Sequence, residues 1–253
     1  MLPSLATEKT HMIDLHSHIL PELDDGSRSL EESLAMARLA VQSGVAVVVA
    51  TPHCIDDRAE QVSSAWRLLR EALHDTGIPL KVCLGMEIFG TADTARLLRK
   101  GRLFPLNGSQ YPLIEFSFRS TGEEETEILH QVLQAGYRPL VAHPERYGYV
   151  RENPALINLW TKMGCLLQVN RGSLLGRFGS GAQWMAVELV ERGFVTAVAT
   201  DAHSPRVRTP WMKDIHALLS QEYSPQLARE LLLRNPLRIL KNEPLPPVEP
   251  EWF

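Results

Sequence analysis

His16 and His18 stand one residue apart at the end of the short apolar run Met12-Ile13-Asp14-Leu15. A β-strand sends successive side chains to opposite faces, so the two imidazoles of His-x-His point the same way. Two neutral imidazoles on one face make a grip for a divalent metal such as zinc, iron or manganese. Alone, the pair reads more readily as two surface or hydrogen-bonded histidines near the N-terminus. The pattern downstream separates the two readings, because five later strand-like runs end in a His, Asp or Glu. Val45–Ala50 leads into Thr51-Pro52-His53, and 80–84 into Gly85-Met86-Glu87. Pro112-Leu113-Ile114 leads into Glu115, and 139–142 into His143-Pro144-Glu145-Arg146. The run 194–199 leads into Thr200-Asp201-Ala202-His203. A sixth run, 165–170, ends in the polar Gln168-Val169-Asn170 without an ionisable group.

Near-continuous apolar runs of this length fit strands buried on both faces of a parallel sheet. Helical patterns lie between them. Ser29-Leu30-Glu31-Glu32 is a capping box, and Gly44 closes the helix that follows. Helical spacing recurs near 58–75, 91–100, 122–135, 153–163, 181–192 and 211–219. The alternation predicts an α/β chain with parallel strands, and its seven strands predict a closed or nearly closed barrel. Barrels of this kind carry their sites at the C-terminal strand ends, where every candidate ligand falls.

At 253 residues the chain suffices for one such domain. The expected division is a loose extension over 1–11, one domain over 12–241 and a Pro-rich, extended tail over 242–253. The formal net charge of −4, with no basic run, argues against a nucleic-acid surface. No stretch reaches the ~20 apolar residues of a membrane helix, and no secretory signal pattern opens the chain. Three cysteines, Cys54, Cys83 and Cys165, have no metal-type pairing, which predicts a reducing, cytoplasmic setting. The spacing Cys165-x5-Arg171 matches that of cysteine-dependent phosphatases. Its intervening residues lack glycine and read as a strand, which does not curl around a phosphate.

In order along the chain stand His16-Ser17-His18-Ile19-Leu20-Pro21, Asp24-Asp25-Gly26, Glu31-Glu32-Ser33 and Thr51-Pro52-His53. Gly85-Met86-Glu87-Ile88, Leu113-Ile114-Glu115-Phe116, His143-Pro144-Glu145-Arg146-Tyr147, Gln168-Val169-Asn170 and Asp201-Ala202-His203 follow. This series resembles the polymerase-and-histidinol-phosphatase (PHP) superfamily over about residues 12–240. Within it, the chain is similar to the manganese-dependent protein-tyrosine phosphatases of bacterial capsule and exopolysaccharide clusters. The resemblance implies a single-domain, distorted (β/α)7 barrel of the PHP type and three divalent metal ions, manganese foremost, with iron, zinc or magnesium as alternatives. It implies a first metal on His16, His18, Glu87 and Asp201. A second would share Glu87 with Glu115 and His143, and a third would take Asp25, His53 and His203. Asp24 is left as a loop or supporting carboxylate.

Four ligand carboxylates against three divalent cations leave an excess of positive charge, which suits a phosphate dianion. Metals also lower the pKa of bound water to ~7. Arg146 and Arg208 are the expected phosphate clamps, with Arg206 a weaker neighbour, and His203 or Asp201 could assist the leaving group. The implied substrate is phosphotyrosine on a bacterial tyrosine kinase that controls polysaccharide export. The alternatives are a histidinol-phosphate phosphatase on the same fold and a non-catalytic metal-binding module. The sequence carries no sign of oligomeric state. Asp14 reads as a hydrogen-bonded carboxylate inside the first strand, and His11, His74, His130 and His216 as surface positions.

Overall fold

The structure is a computed structural model that describes residues 11–54, 58–247 and 249–253. Its strands are β1 (Met12–Ser17), β2 (Val45–Ala50), β3 (His53–Cys54), β4 (Lys81–Leu84), β5 (Glu87–Phe89), β6 (Leu113–Glu115), β7 (Leu140–Ala142), β8 (Leu166–Asn170) and β9 (Val195–Ala199). The helices between them are α1 (Leu30–Gln42), α2 (Ala59–Asp75), α3 (Thr94–Arg99), α4 (Glu123–Gln134), α5 (Gly148–Glu152), α6 (Ala155–Met163), α7 (Arg171–Leu174), α8 (Ser180–Glu191) and α9 (Lys213–Leu218). Two more, α10 (Pro225–Arg229) and α11 (Asn235–Leu240), close the chain.

All strand pairing is parallel, as the apolar runs require. The strands form two sheets, ordered β1-β2-β4 and β3-β5-β6-β7-β8-β9, rather than one continuous ladder. Thr51-Pro52 explains one interruption, because proline has no N–H to give the ladder. Hydrogen bonds cross the seams. Glu87 N–H donates to Pro52 O at 3.1 Å, Asp201 N–H to His16 O at 2.9 Å and His18 N–H to Ala202 O at 2.8 Å.

Two buried clusters lie on opposite faces of the strands. Ile13, Leu15, Val47, Val49, Leu113, Leu140, Leu166 and Ala197 pack together on one face. Val48, Ile114, Val141, Leu167 and Val198 pack on the other, against Met36, Leu69, Leu129, Trp160 and Leu189 of the helices. Each such Val, Leu, Ile or Met side chain contributes about 1.5–3 kcal/mol by leaving water. The near-continuous apolar runs therefore alternate between two cores, not between core and solvent. Ile239 and Leu240 of α11 join the first cluster. The C-terminal helices thus contribute to the inner core, a role that the sequence reading did not foresee.

Local signals hold where they were readable. Ser29 caps α1 by accepting from Glu32 N–H at 3.2 Å. Glu32 reaches back to Arg28 N–H at 2.8 Å, one residue before the cap, so the box is displaced by one position. The tail residues 249–253 dock: Phe253 N–H donates to Asn158 Oδ1 at 3.2 Å, and the Phe253 ring stacks on Phe194 at 5.5 Å.

Candidate metal centre

The first histidines owe their orientation to a bulge. Asp14 pairs with Val48 and Ser17 with Ala50, so β1 advances one residue more than β2 between those points. An extra residue reverses the alternation. Leu15 faces the inner cluster, and His16 and His18 converge beyond it with their Nε2 atoms 3.3 Å apart. Glu87 and Glu115 lie on β5 and β6 between neighbours that face the helices, so alternation turns both inward. His143 follows Ala142 and by alternation would side with Val141. Its left-handed backbone, φ 38°, accompanies its turn toward the centre. Asp201 and Arg208 also have positive φ, 52° each. Such strained positions in non-glycine residues persist where the surroundings hold them, often at functional sites.

These elements bring eight of the nine ligand candidates into groups of converging donors, with His143 outside those groups and against Glu87. His16, His18, Glu87 and Asp201 offer donor atoms within 4.8 Å of one another. His18, Asp25, His53 and His203 form a second such group, and His53, Glu87 and Glu115 a third. The membership differs in part from the ligand assignment implied by the resemblance. His53 Nδ1 lies 2.7 Å from Glu115 Oε1, while His143 Nε2 meets Glu87 Oε1 at 2.8 Å. Asp25, with a side chain 65% exposed, is the open edge, 3.4 Å from His53 Nε2 and 3.3 Å from His203 Nε2.

The donor atoms fit cations better than they fit one another. Glu87 Oε2 lies 3.0 Å from His53 Nδ1 and 3.1 Å from His18 Nε2, yet it and His53 Nδ1 make no hydrogen bond among the described residues. Asp201 Oδ1 lies 3.4 Å from both His16 Nε2 and His18 Nε2 and is likewise unpaired. Buried polar atoms without partners are costly, and lone pairs aimed at a shared point are what a metal requires. The electrostatics agree. Burial would raise the Glu87 carboxyl, but His16 and the other histidines hold it well below the usual range. Burial pulls His53 down, and Glu115 and Glu87 more than reverse this, raising it to about 10. Around Glu87 and Glu115 the cluster therefore favours positive charge, whereas burial and then His18 lower His203 to about 4.

A hydrogen-bonded frame orients the candidate ligands. Asp24 accepts from His18 Nδ1 at 2.7 Å and from His53 N–H at 2.9 Å, the supporting role expected for it. Gly26 packs on His18 so closely that a Cβ would stand 2.3 Å from the His18 carbonyl. Sequence reasoning missed the part played by β8. Gln168 Oε1 accepts from His16 Nδ1 at 2.8 Å, Gln168 Nε2 donates to Asn170 Oδ1 at 2.8 Å, and Asn170 Nδ2 donates to Asp201 Oδ2 at 2.7 Å. The Gln-x-Asn spacing on a strand repeats that of His-x-His and was the available signal. Such outer partners fix ligand orientation. Asp14 accepts from Thr200 Oγ1 at 2.5 Å and from Thr200 N–H at 3.0 Å, so it is the buried structural carboxylate expected.

Arg146 and Arg208 both reach the centre, with Asp201 as their partner. Arg146 Nη1 donates to Asp201 Oδ2 at 3.2 Å, and Arg208 pairs with the same oxygen. Arg206 is exposed. Cys165 is buried, its thiol pushed up to about 12 by that burial, and Arg171 is committed to an ion pair with Asp214. That pair is a structural bridge, not a phosphate loop.

A family model for capsular polysaccharide synthesis proteins, CpsB/CapC, matches residues 12–241. The chain belongs to the CpsB/CapC family. It is 36% identical over 234 residues to the tyrosine-protein phosphatase YwqE of Bacillus subtilis, covering 88% of this chain and 92% of that protein. It is 32% identical to the tyrosine-protein phosphatase CpsB of Streptococcus pneumoniae, over 92% of this chain and 99% of that one. A crystal structure from work on those two proteins, described as unique metal-dependent tyrosine phosphatases, superposes with a TM-score of 0.88 at 34% identity. That match covers 95% of this chain and 99% of the other. A β-aspartyl dipeptidase from Fervidobacterium islandicum shares only the fold, at a TM-score of 0.57 and 14% identity over 92% of this chain and 73% of that one. Among the described residues, no helix of this CpsB/CapC member is long and apolar enough to cross a membrane.

Proposed function

We propose that this CpsB/CapC member is a metal-dependent protein-tyrosine phosphatase acting on a bacterial tyrosine kinase in polysaccharide synthesis. The observation that carries the reading is the set of buried donor atoms, Glu87 Oε2, His53 Nδ1 and Asp201 Oδ1, left without hydrogen bonds where imidazoles and carboxylates converge. Three ions, manganese foremost, are the proposed occupancy, with His16, His18, Asp25, His53, Glu87, Glu115, His143, Asp201 and His203 as ligands. Bound cations would lower the pKa of a water to about 7 and offset charge that develops during phosphoryl transfer. The proposed frame is a distorted (β/α)7 barrel over 12–241, in which β2 with β3 and β4 with β5 each act as one strand. The extension over 1–11 lies outside the described residues apart from His11, and the tail serves the domain from its far side. A cytoplasmic setting follows from the proposed kinase substrate.

The chain's own groups have separable tasks. Arg146 and Arg208 sit at the rim, and each guanidinium has more N–H donors than Asp201 uses, so both can turn part of the fork to phosphoryl oxygens. His203 Nδ1 faces Asp201 O at 3.0 Å, and its Nε2 lies 3.1 Å from Arg208 Nη1, a group that only donates. Nε2 is then an acceptor, and Asp201 Oδ2 is already filled by Arg146, Arg208 and Asn170. The His203 proton is then on Nδ1 and engaged by the Asp201 carbonyl, and the Asp201 carboxylate carries none, so positioning suits both better than acid catalysis. A centre without a dedicated acid favours leaving groups that need none, such as the phenolate of tyrosine with its pKa near ~10.

The test is turnover of a phosphotyrosine peptide and of histidinol phosphate by the same manganese-supplemented protein, with a chelated control. The expected result is a kcat/KM at least about tenfold higher for the aryl phosphate, roughly 1.4 kcal/mol in barrier. Histidinol phosphate as the better substrate would overturn the reading in favour of the small-molecule enzyme. Metal binding without turnover of either would favour the non-catalytic module.

A further inference from the structure

Beside the metal centre opens a cleft of about 400 Å³ whose walls include Phe118, Arg119, Arg146, Arg151 and Phe178. Phe118 and Arg119 follow β6, Arg146 follows β7, Arg151 lies on α5, and Phe178 joins α7 to α8. Arg146 connects cleft to centre: its guanidinium lies 4.8 Å from the Phe118 ring centroid and 4.4 Å from that of Phe178, while its Nη1 reaches Asp201. Phe118 also stacks on His143, with ring centroids 6.0 Å apart at 18°. The far wall is held as firmly. Gly172 lets the Phe178 ring approach so closely that a Cβ would stand 2.6 Å from it.

The other two arginines are placed differently. Arg151 Nη1 donates to the carbonyls of Glu145 and Arg146 at 3.2 and 2.8 Å, which fixes its guanidinium. Two of its five N–H groups are used there, and the rest of the fork remains. Arg119 is exposed. Among the described residues, neither Arg119 nor Arg151 is within ion-pair distance of a carboxylate. A cluster of three arginines in a chain of net charge −4 is a local reversal of sign. Two of the three lack an acidic partner. A planar fork held open at the edge of a reaction centre matches a carboxylate in shape as well as in charge.

We propose that this cleft is a peptide subsite that takes an acidic side chain near the phosphotyrosine in the substrate's sequence, bound by Arg119 and Arg151, with the intervening peptide against Phe118. The proposal rests on the tyrosine-phosphatase reading. It makes the enzyme selective among phosphotyrosine sites, where the metal centre alone would accept any aryl phosphate.

The test uses the full chain with manganese and three phosphotyrosine peptides that differ only in flanking residues: glutamate, glutamine or lysine. Wild type should prefer the glutamate peptide over the glutamine peptide by about 3- to 10-fold in kcat/KM, the scale of one or two partly exposed charge-assisted contacts. The preference should shrink as salt rises, since screening acts within ~10 Å at 0.1 M. Arg119→Gln should remove most of it, and Arg119→Glu should shift the preference toward the lysine peptide. Arg119 is exposed, so both variants should fold, and a melting curve verifies this. Equal wild-type rates on the glutamate and glutamine peptides overturn the subsite alone, as does an acidic preference unchanged in Arg119→Gln. Absence of turnover on every phosphotyrosine peptide, with metal bound, overturns the phosphatase reading and the subsite with it.

Discussion

At the residue scale, Glu87 is the hub. Its Oε1 faces His16 and His143, and its Oε2 faces His18 and His53. It belongs to two of the three donor groups, so removing it damages more than one site. Glu87→Ala should lower bound metal and cut kcat/KM for an aryl phosphate by about a thousandfold or more, read by elemental analysis beside kinetics. Undiminished metal and activity in that variant would remove Glu87 from the centre. Cys165 makes the opposite case. Burial lifts its thiol to about 12, far from a nucleophilic thiolate, and Cys165→Ser should stay within about threefold of wild type, roughly 0.7 kcal/mol. A loss of several orders of magnitude in a folded variant would restore the thiolate mechanism. What the sequence made legible here was the converging donor residues, because His, Asp and Glu at strand ends announce themselves by type and position. The sharing of His53 between donor groups was not legible, since it depends on how far one imidazole leans toward Glu115. The partnership of both arginines with Asp201 was equally hidden, because charge sign alone does not distinguish a phosphate clamp from a carboxylate brace.

At the scale of elements, β8 contributes no candidate ligand and yet orients two of them, His16 and Asp201, through Gln168 and Asn170. Asn170→Ala should cost about 10–100-fold in metal affinity or activity, the usual weight of such outer partners. A variant indistinguishable from wild type in both would reduce the strand to scaffolding. Helices α7 and α9 are tied by Arg171 and Asp214, with Arg171 Nε donating to Asp214 Oδ1 at 2.7 Å. Burial would raise the Asp214 carboxyl, but Arg171 lowers it further than burial raises it, below its ordinary value. The folded state then binds this proton less readily than the unfolded chain, whose aspartate titrates near ~3.9. Its contribution is present above that pH and is lost as pH falls through the folded value. The Tm difference between wild type and Asp214→Asn should be largest near neutral pH and close below about pH 4. A difference independent of pH would mean that the bridge acts by packing alone. The seven apolar runs and the longer helices between them were legible because each shows one pattern throughout, whereas the short β3, β5, α5 and α7 were too brief to show one. The final helices were not. Ser224-Pro225 carries a start signal, and Ser224 does cap α10 by accepting from Leu227 N–H at 3.0 Å. Wider π-helical turns over 219–223 and 230–234, with Pro236 just beyond, then blur the 3.6-residue period.

At the scale of the whole molecule, the centre and the tail lie at opposite ends of the strands. The candidate ligands gather at the C-terminal ends, whereas Glu251, Trp252 and Phe253 dock beside the start of β9. Glu251 N–H donates to Arg192 O at 2.9 Å, the Arg192 guanidinium lies 4.7 Å from the Phe253 ring centroid, and Lys162 Nζ lies 4.7 Å from that of Trp252. An extended, Pro-rich composition said nothing of this, because docking depends on Phe194 and Asn158, both remote in sequence. In the proposed barrel, the end away from the site serves stability rather than chemistry. Removing residues 251–253 exposes the stacked face of Phe194 and deletes two aromatic contacts. The cost should be about 1–3 kcal/mol, with allowance for the half-exposed Trp252. For a domain of this size that is roughly 2–10 °C in Tm. The same truncation should leave kcat/KM for a small aryl phosphate within about twofold, roughly 0.4 kcal/mol. A large fall in turnover at temperatures where the truncated protein remains folded would show that the far end is coupled to the centre. An unchanged Tm would show that the docked tail contributes no net stability.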